Sequence, residues 1–184
     1  MTLPILAVIL AGCVPNEHRK ISHDDTALPS GVLEMPWVSA VEWGPLEVGT
    51  LTMEWEDPRG KEMLAEVWYP AHPETDDEPA TYPPLTIGGK ATRWANPDTR
   101  FGPRPLVAFS HGYGGVRFQS LYLTEFLASH GFVVVSPRHR YNTFLDMDDD
   151  QLLDITVQRP GDIIEAVDEV LRRSAKVEDE LAGL

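Results

Sequence analysis

Cysteine and basic residues are both scarce in this chain of 184 residues. There is one cysteine, Cys13, so an internal disulfide is impossible. Lysine and arginine together number 15, against 29 aspartates and glutamates, and the net charge is −14. Binding to nucleic acid requires clustered basic side chains, so no nucleic-acid partner is expected. The length suits a single domain.

The chain also has no long apolar segment near its N-terminus. Residues 3–12 are apolar but too few to cross a bilayer, and they end in Leu10-Ala11-Gly12-Cys13. This ending resembles the lipobox of bacterial lipoproteins, in which the cysteine is acylated. No lysine or arginine precedes the run, so two alternatives stay open: a misplaced start, or an ordinary buried strand.

The lipobox resemblance predicts a lipoprotein-type signal segment over residues 1–13 and lipidation at Cys13. The implied location is the bacterial cell envelope, with membrane contact only through the lipid anchor, and the alternative is a secreted soluble protein. Metabolic labelling with a fatty acid tests this prediction, and an unlabelled Cys13 would contradict it. Residues 14–44 are polar, broken by prolines and without periodicity, and are predicted to form a tether.

The remaining residues, 45–184, are predicted to form one α/β domain that opens with an antiparallel hairpin. Residues 46–55 alternate in the manner of a strand, residues 57–60 have turn chemistry, and residues 63–69 form the second strand. The segment 70–105 is rich in proline and charge. It is expected to wrap the sheet edge without regular structure, apart from a short extended piece at 81–87.

A β-loop-α-β unit follows the hairpin. Residues 106–109 and 132–135 are continuous apolar runs, as in parallel strands covered on both faces. Residues 119–130 between them have a helical apolar face, and Gly131 is suited to end that helix. A second helix is expected to open at Asp162, with apolar residues at helical spacing as far as Leu171. The prediction is therefore a mostly parallel sheet with flanking helices.

Three glycines occupy the loop after the first of these parallel strands. The loop reads His111-Gly112-Tyr113-Gly114-Gly115, and glycine leaves room for backbone N–H groups to approach a negative charge. A loop of this HGGG type supplies one oxyanion-hole donor in α/β-hydrolases. The alternative is a tight β–α turn such as any doubly wound protein contains.

The residues around this loop resemble the platelet-activating-factor acetylhydrolase-like branch of the α/β-hydrolases, close to the dienelactone hydrolases. The similarity is carried by Phe109-Ser110-His111-Gly112, by Leu127-Ala128-Ser129-His130-Gly131-Phe132, by Glu66-Val67-Trp68-Tyr69-Pro70-Ala71 and by Arg159-Pro160-Gly161-Asp162. It covers about residues 45–175, and it implies the N-terminal part of an α/β-hydrolase fold.

The resemblance implies a serine-type hydrolase of carboxylic esters, acting on a small-molecule ester or lipid without a cofactor or metal. The site residues it implies are Tyr113, whose backbone N–H would contribute to the oxyanion hole, and Gly112. His111 is expected to support the loop by hydrogen bonding rather than to titrate in catalysis.

A nucleophile is missing from this pattern. The chain contains no Gly-x-Ser-x-Gly elbow, and Ser110 is followed by a loop rather than directly by a helix, so it is interpreted as structural. His130 and His139 precede any later serine, the wrong order for this fold, and the loop at 138–140 is expected near the mouth of the site. The catalytic triad is therefore predicted to be absent from the chain.

Two interpretations follow from the missing triad. In the first, the 184-residue chain supplies the oxyanion loop of an esterase and is inactive by itself. The strand order of the family would then leave residues 105–109 with an unpaired edge, which predicts poor solubility. In the second, the protein is a non-catalytic, lipid-anchored binding protein on a hydrolase scaffold.

An acidic segment, residues 146–150, follows the second parallel strand. Several carboxylates in one loop could hold calcium, but the glycine and distant glutamate of an EF-hand are missing. The segment is therefore predicted to be an unpaired surface loop.

Overall fold

The computed structural model describes residues 7–10, 42–72, 78–85 and 87–184. Cys13 and the predicted tether, apart from its last three residues, lie outside the described residues. The described strands are β1 (Ala7–Leu10), β2 (Glu47–Glu56), β3 (Glu62–His72), β4 (Pro79–Tyr82), β5 (Ile87–Arg93), β6 (Asn96–Pro97), β7 (Leu106–Ser110), β8 (Gly114–Gly115) and β9 (Val133–Pro137). The described helices are α1 (Leu121–Ser129) and α2 (Leu152–Ser174), the latter preceded by a 3-10 turn at Asp149–Gln151.

The strands form a mixed sheet in the order β1-β7-β9-β3-β2-β5-β4, with β6 paired to β3. The predicted hairpin is present, since β2 and β3 pair antiparallel over their whole lengths. β7 runs parallel to β9, and β9 runs antiparallel to β3. The α/β fold class is thus confirmed, although the sheet is mixed rather than mostly parallel.

β1 lies inside the predicted signal segment. It pairs in parallel with β7, from Ala7 opposite Val107 to Leu10 opposite Ser110. The β7 edge expected to be unpaired therefore has β1 as its neighbour in this structure, and the signal segment stays a prediction. Lipidation at Cys13 stays a prediction.

The segment 70–105 is more regular than expected, because it contains β4, β5 and β6. Ala80 and Tyr82 alternate inward on β4, and Ala91 is buried on β5. Two of the prolines occupy positions that strands tolerate: Pro79 is the first residue of β4, and Pro97 lies in the two-residue β6. Proline content was therefore a poor guide to irregular structure here.

The two helices pack against opposite faces of the sheet. Val134 of β9 belongs to the core cluster that α1 covers, whereas Val133 and Val135 belong to the cluster that includes Val167 of α2. This alternation is the period of two expected of a strand buried on both faces. None of the helices in the described part of the chain is long and apolar enough to cross a bilayer.

The second helix begins ten residues before Asp162, contrary to the prediction. The apolar stripe extends back to Ile155, which is buried although it lies in the first turn of the helix. Pro160 and Gly161 lie inside α2 rather than at its start. Tertiary burial thus outweighs the helix-breaking propensity of these two residues.

Candidate active site

The glycine loop lies at the edge of the sheet where β7 and β9 end. Parallel strands bring their carboxyl ends to one edge, so Ser110, the last residue of β7, lies near His139, two residues beyond β9. Helix α2 crosses the same edge with Arg159 and Asp162 on its sheet-facing stripe, three residues apart. Three separate elements therefore supply side chains to one place.

Ser110, His139 and Asp162 form a hydrogen-bonded chain. Ser110 Oγ lies 2.9 Å from His139 Nε2, and His139 Nδ1 lies 3.0 Å from Asp162 Oδ2. Lys61 Nζ lies 2.6 Å from the other carboxylate oxygen of Asp162. All three members of the chain are buried, at 2%, 1% and 2% exposure. The contacts match a Ser-His-Asp triad, although the residues occur in a different order from that of α/β-hydrolases.

The hydrogen-bond partners of Ser110, His139 and Asp162 determine which atoms carry the protons. Burial raises the pKa of Asp162, but hydrogen bonds from His139 and Lys61 outweigh it and leave the pKa below its usual value. Burial lowers the pKa of His139 more than Asp162 raises it, which favours the neutral imidazole. An ionised carboxylate only accepts, so Nδ1 of His139 carries the proton and Nε2 accepts from Ser110.

Arg159 occupies the remaining side of the Ser110 hydroxyl. Its guanidinium donates to Ser110 Oγ at 2.7 Å, to the carbonyl of His111, and to Asn142 Oδ1 at 2.7 Å. Arginine only donates, so Ser110 accepts from Arg159 and gives its one proton to His139. The hydroxyl is buried and has both a donor and an acceptor, which fits the structural role predicted for Ser110.

The structure adds two facts about His139 that the sequence did not indicate. It is buried rather than at the mouth of a site, and it contacts the serine that chain order appeared to deny it. The order of serine and histidine in the sequence can exclude the triad pattern of the α/β-hydrolases. It does not exclude a contact between Ser110 and His139 in space. His130 lies apart from this chain and bonds the Phe126 carbonyl of its own helix.

His111 connects the hydrogen-bonded residues Ser110, His139 and Asp162 to the glycine loop. Its Nε2 accepts the backbone N–H of His139 at 3.3 Å, which leaves Nδ1 to donate to the carbonyl of Gly112 at 2.9 Å. Burial lowers the pKa of His111 to about 4, against a smaller opposing effect of the Gly112 bond. The neutral ring is the form that these two bonds require. The contact with Gly112 is the one that loop support needs, and the role itself stays a prediction.

The peptide between Gly112 and Tyr113 is fixed through its carbonyl. That oxygen accepts from the His111 ring and from the N–H of Gly115 at 3.0 Å, while the Gly112 N–H donates to Gln119 Oε1 at 3.2 Å. A trans peptide is planar, and its N–H points opposite to its C=O. The Tyr113 N–H is therefore directed away from the buried imidazole, and among the described residues it has no acceptor.

Two glycines of the loop are required by its geometry. Gly114 has φ of +67°, in the left-handed region that glycine adopts without strain. A Cβ on Gly115 would lie 1.9 Å from Gln119 Oε1, the atom that holds Gly112. A side chain at Gly114 would therefore strain the backbone, and one at Gly115 would displace the Gln119 amide from Gly112.

The acidic segment packs over this loop and is not unpaired, contrary to the prediction. Asp149 accepts a hydrogen bond from the Tyr113 hydroxyl, and Asp146 accepts one from the N–H of Thr143 at 3.1 Å. Thr143 also bridges to Gly114 and Gly115 of β8. In the described part of the chain, no group of three or more acidic, cysteine or histidine side chains is arranged to hold a metal ion.

Comparison with known proteins places the loop in a family context. Residues 90–146, which are 57 of the 184, match the sequence profile of platelet-activating factor acetylhydrolase, isoform II. This segment contains β7, the glycine loop, α1 and β9, and the match confirms the predicted resemblance to the esterases of the α/β-hydrolase class. At this coarse level, the chain is similar to ester hydrolases.

The chain also resembles the solved structure of a ferulic acid esterase from Streptomyces cinnamoneus. The two are 27% identical, with a TM-score of 0.49, over 56% of this chain and 37% of that one. The chain thus spans little more than a third of the esterase. Comparison with curated proteins gives no match.

Sequence reasoning missed the contribution of Lys61, Arg159 and Asp162. A signal for two of them was present, because Arg159 and Asp162 fall at helical spacing on the otherwise apolar stripe of α2. Charged residues on a buried stripe require partners, and buried polar groups at the carboxyl ends of neighbouring strands are the obvious ones. Lys61 gave no such signal, since it belongs to a turn far away in sequence.

Proposed function

We propose that the protein is a serine-type carboxylic-ester hydrolase and that the backbone N–H of Tyr113 supplies one donor of its oxyanion hole. The observation that carries this proposal is the orientation of the peptide between Gly112 and Tyr113. Its carbonyl is held by two donors, so its N–H is directed outward without a competing acceptor among the described residues. The family profile that matches this segment supports an ester as the substrate class.

The chemical role of this N–H is to stabilise the tetrahedral intermediate of acyl transfer. Attack by a nucleophile on the ester carbonyl places negative charge on oxygen, and a donor already aligned for that oxygen requires no reorganisation during the reaction. Removal of one such donor typically lowers kcat by about 10²–10³-fold. The proposed substrate is a small-molecule ester or a lipid ester.

The nucleophile is assigned to none of the 184 residues. The sequence contains no Gly-x-Ser-x-Gly elbow, and the Ser110 hydroxyl is buried beneath Arg159. This same observation favours the second candidate function, a non-catalytic binding protein on the hydrolase scaffold. The two functions differ in a single measurable property, which is turnover.

Hydrolysis of p-nitrophenyl acetate by the protein purified from its natural source separates the two candidates. We expect steady-state release of nitrophenol, abolished by a serine-reactive phosphonate that adds to a serine other than Ser110. The control is the same preparation after heat denaturation. Absence of turnover with this ester and with longer acyl chains, in a folded sample, would favour the binding protein and contradict the proposal.

A further inference from the structure

Ser110, His139 and Asp162 make the hydrogen bonds of a catalytic triad, but the serine is not accessible to a substrate. The Ser110 hydroxyl is 2.7 Å from a donor on Arg159 and 2.9 Å from the His139 ring, so both of its hydrogen-bonding directions are used. A nucleophile must reach the carbonyl carbon of a substrate, and Ser110 is only 2% exposed.

The chain of hydrogen bonds continues from His139 to the glycine loop. The backbone N–H of His139 donates to the ring of His111, and the other side of that ring donates to the Gly112 carbonyl. The rings of His111 and His139 lie 4.9 Å apart between centroids. The backbone of His139 is thus bonded to the ring that holds the Gly112 carbonyl.

Only one arrangement of protons satisfies every member of this chain. Asp162 and Arg159 fix the two ends, because a carboxylate only accepts and a guanidinium only donates. Between them, His139 must donate through Nδ1 and accept through Nε2, as described above. A protonated His139 ring would face the cations Arg159 and Lys61 and the carboxylate of Asp162. A protonated His111 ring would face Arg159, the His139 ring and the carboxylate of Asp146.

We infer that Asp162, His139 and Ser110 form a positioning network that, through His111, sets the direction of the Tyr113 N–H. Asp162 anchors the network from α2, where Lys61 holds its second oxygen. The catalytic meaning of this network rests on the proposed function, whereas its effect on the loop does not. It is thus a set of positioning residues rather than a second catalytic centre.

Amide hydrogen exchange in Asp162→Asn tests the network. The variant keeps the size of the side chain but removes the charged acceptor for His139. The amide of Gly115 donates to the same Gly112 carbonyl, so its exchange reports opening of the loop. Loss of a hydrogen bond to a charged group predicts exchange about ten- to a hundredfold faster at Gly115.

The matched control is Asp168→Asn, which removes an exposed carboxylate from the same helix. We expect its Gly115 exchange to stay within about twofold of the parent. Amides of the buried strand β3 report global destabilisation, so the rate at Gly115 is compared with the β3 rates within each variant, and we expect the ratio to rise only in Asp162→Asn. Equal Gly115 rates in the two variants would overturn the inference.

A measurement on the unmodified protein keeps the inference testable if Asp162→Asn does not fold. With ¹⁵N-labelled histidine, the ring nitrogens report protonation and tautomer directly. We expect His111 and His139 to be neutral at pH 7, with the proton on Nδ1 in both. A protonated ring, or a proton on Nε2 of His139, would contradict the network.

The alternative, that Ser110 is itself a nucleophile, has a distinct outcome. A serine-reactive phosphonate would then add to Ser110, and the peptide containing it would gain the mass of the adduct. We expect no addition at Ser110. A protein that shows no ester turnover could still have the predicted Gly115 exchange and histidine tautomers. That result would contradict the proposed function but support the positioning network.

Discussion

At the scale of single residues, His111 is the point where the buried network meets the glycine loop. One of its ring nitrogens accepts from the backbone of His139 and the other donates to the Gly112 carbonyl. Both bonds require the neutral ring, and the residue is fully buried. The protonation state of His111 should therefore couple the stability of the loop to pH.

We predict that His111→Asn flattens the dependence of folding stability on pH. Burial lowers the pKa of His111 to about 4, whereas the unfolded chain takes up the proton near pH 6.5. Between these values the unfolded state binds more protons, so the free energy of unfolding falls as the pH falls. The total for this group is roughly 3 kcal/mol, lost between about pH 6.5 and 4.

Urea unfolding at several pH values between 7 and 4.5 measures this slope. Asparagine has no titrating group there, yet its amide can still donate to the Gly112 carbonyl. The variant should be less stable at pH 7 and lose less stability on acidification, while the lowered pKa of His139 leaves a residual slope. Parallel curves for parent and variant would show that His111 does not titrate as expected.

The residues of the loop were predictable from sequence, but their buried partners were not. Tyr113, Gly112 and His111 stand together in one motif, so their placement after a strand followed from local pattern. Ser110 and His139 are separated by a strand and a helix, and only the parallel pairing of β7 and β9 brings them together. The order of these residues in the sequence gives no indication of that contact.

At the scale of elements, a buried carboxylate ties helix α1 to strand β5. Glu125 accepts from the backbone N–H of Lys90 at 2.9 Å, from that of Ala91 at 3.2 Å and from the Tyr82 hydroxyl at 3.1 Å. The helix after the glycine loop is thus attached to the sheet by a polar contact as well as by its apolar face. Gly89, beside these amides, leaves the space for the carboxylate.

We predict that Gly89→Ala destabilises the fold whereas Gly88→Ala does not. A Cβ on Gly89 would lie 1.9 Å from Glu125 Oε1, and the carboxylate could move only by losing its hydrogen bonds. The expected cost is about 2 kcal/mol or more. Gly88 has nothing within 4 Å of the added carbon and is the matched control.

Chemical denaturation of the two variants measures the difference. Gly88→Ala should be neutral or stabilising by up to about 1 kcal/mol, since alanine loses less backbone entropy in a strand than glycine does. Equal stabilities of the two variants would mean that Glu125 yields freely and that the tie between α1 and β5 contributes little.

Element boundaries were predicted less well than element types. The family resemblance and the acidic residue Asp162 predict that α2 opens at the Arg159–Asp162 segment, yet the helix extends back to Leu152. Burial of Ile155, before Pro160 and Gly161, accompanies this extension. β4, β5 and β6 were missed for a related reason, since their alternation is short and interrupted by proline.

At the scale of the whole molecule, the sheet brings the parts of the site to one edge. β7 ends in the glycine loop, β9 leads to His139, and α2 lies across both with Arg159 and Asp162. The two core clusters hold α1 and α2 on opposite faces, and the glycine loop between β7 and α1 is held by His111 and Gln119. The outward Tyr113 N–H is the result of this arrangement, and it is the central claim for function.

The most direct measurement is the ratio of kcat for Tyr113→Pro to that for Tyr113→Ala, with a p-nitrophenyl ester and the protein from its natural source. Both variants lose the phenol, but proline alone lacks the N–H. We predict that the alanine variant stays within a few-fold of the parent and that the proline variant falls by about 10²–10³-fold. Equal kcat values in the two variants would contradict the assignment of the Tyr113 N–H to the oxyanion hole.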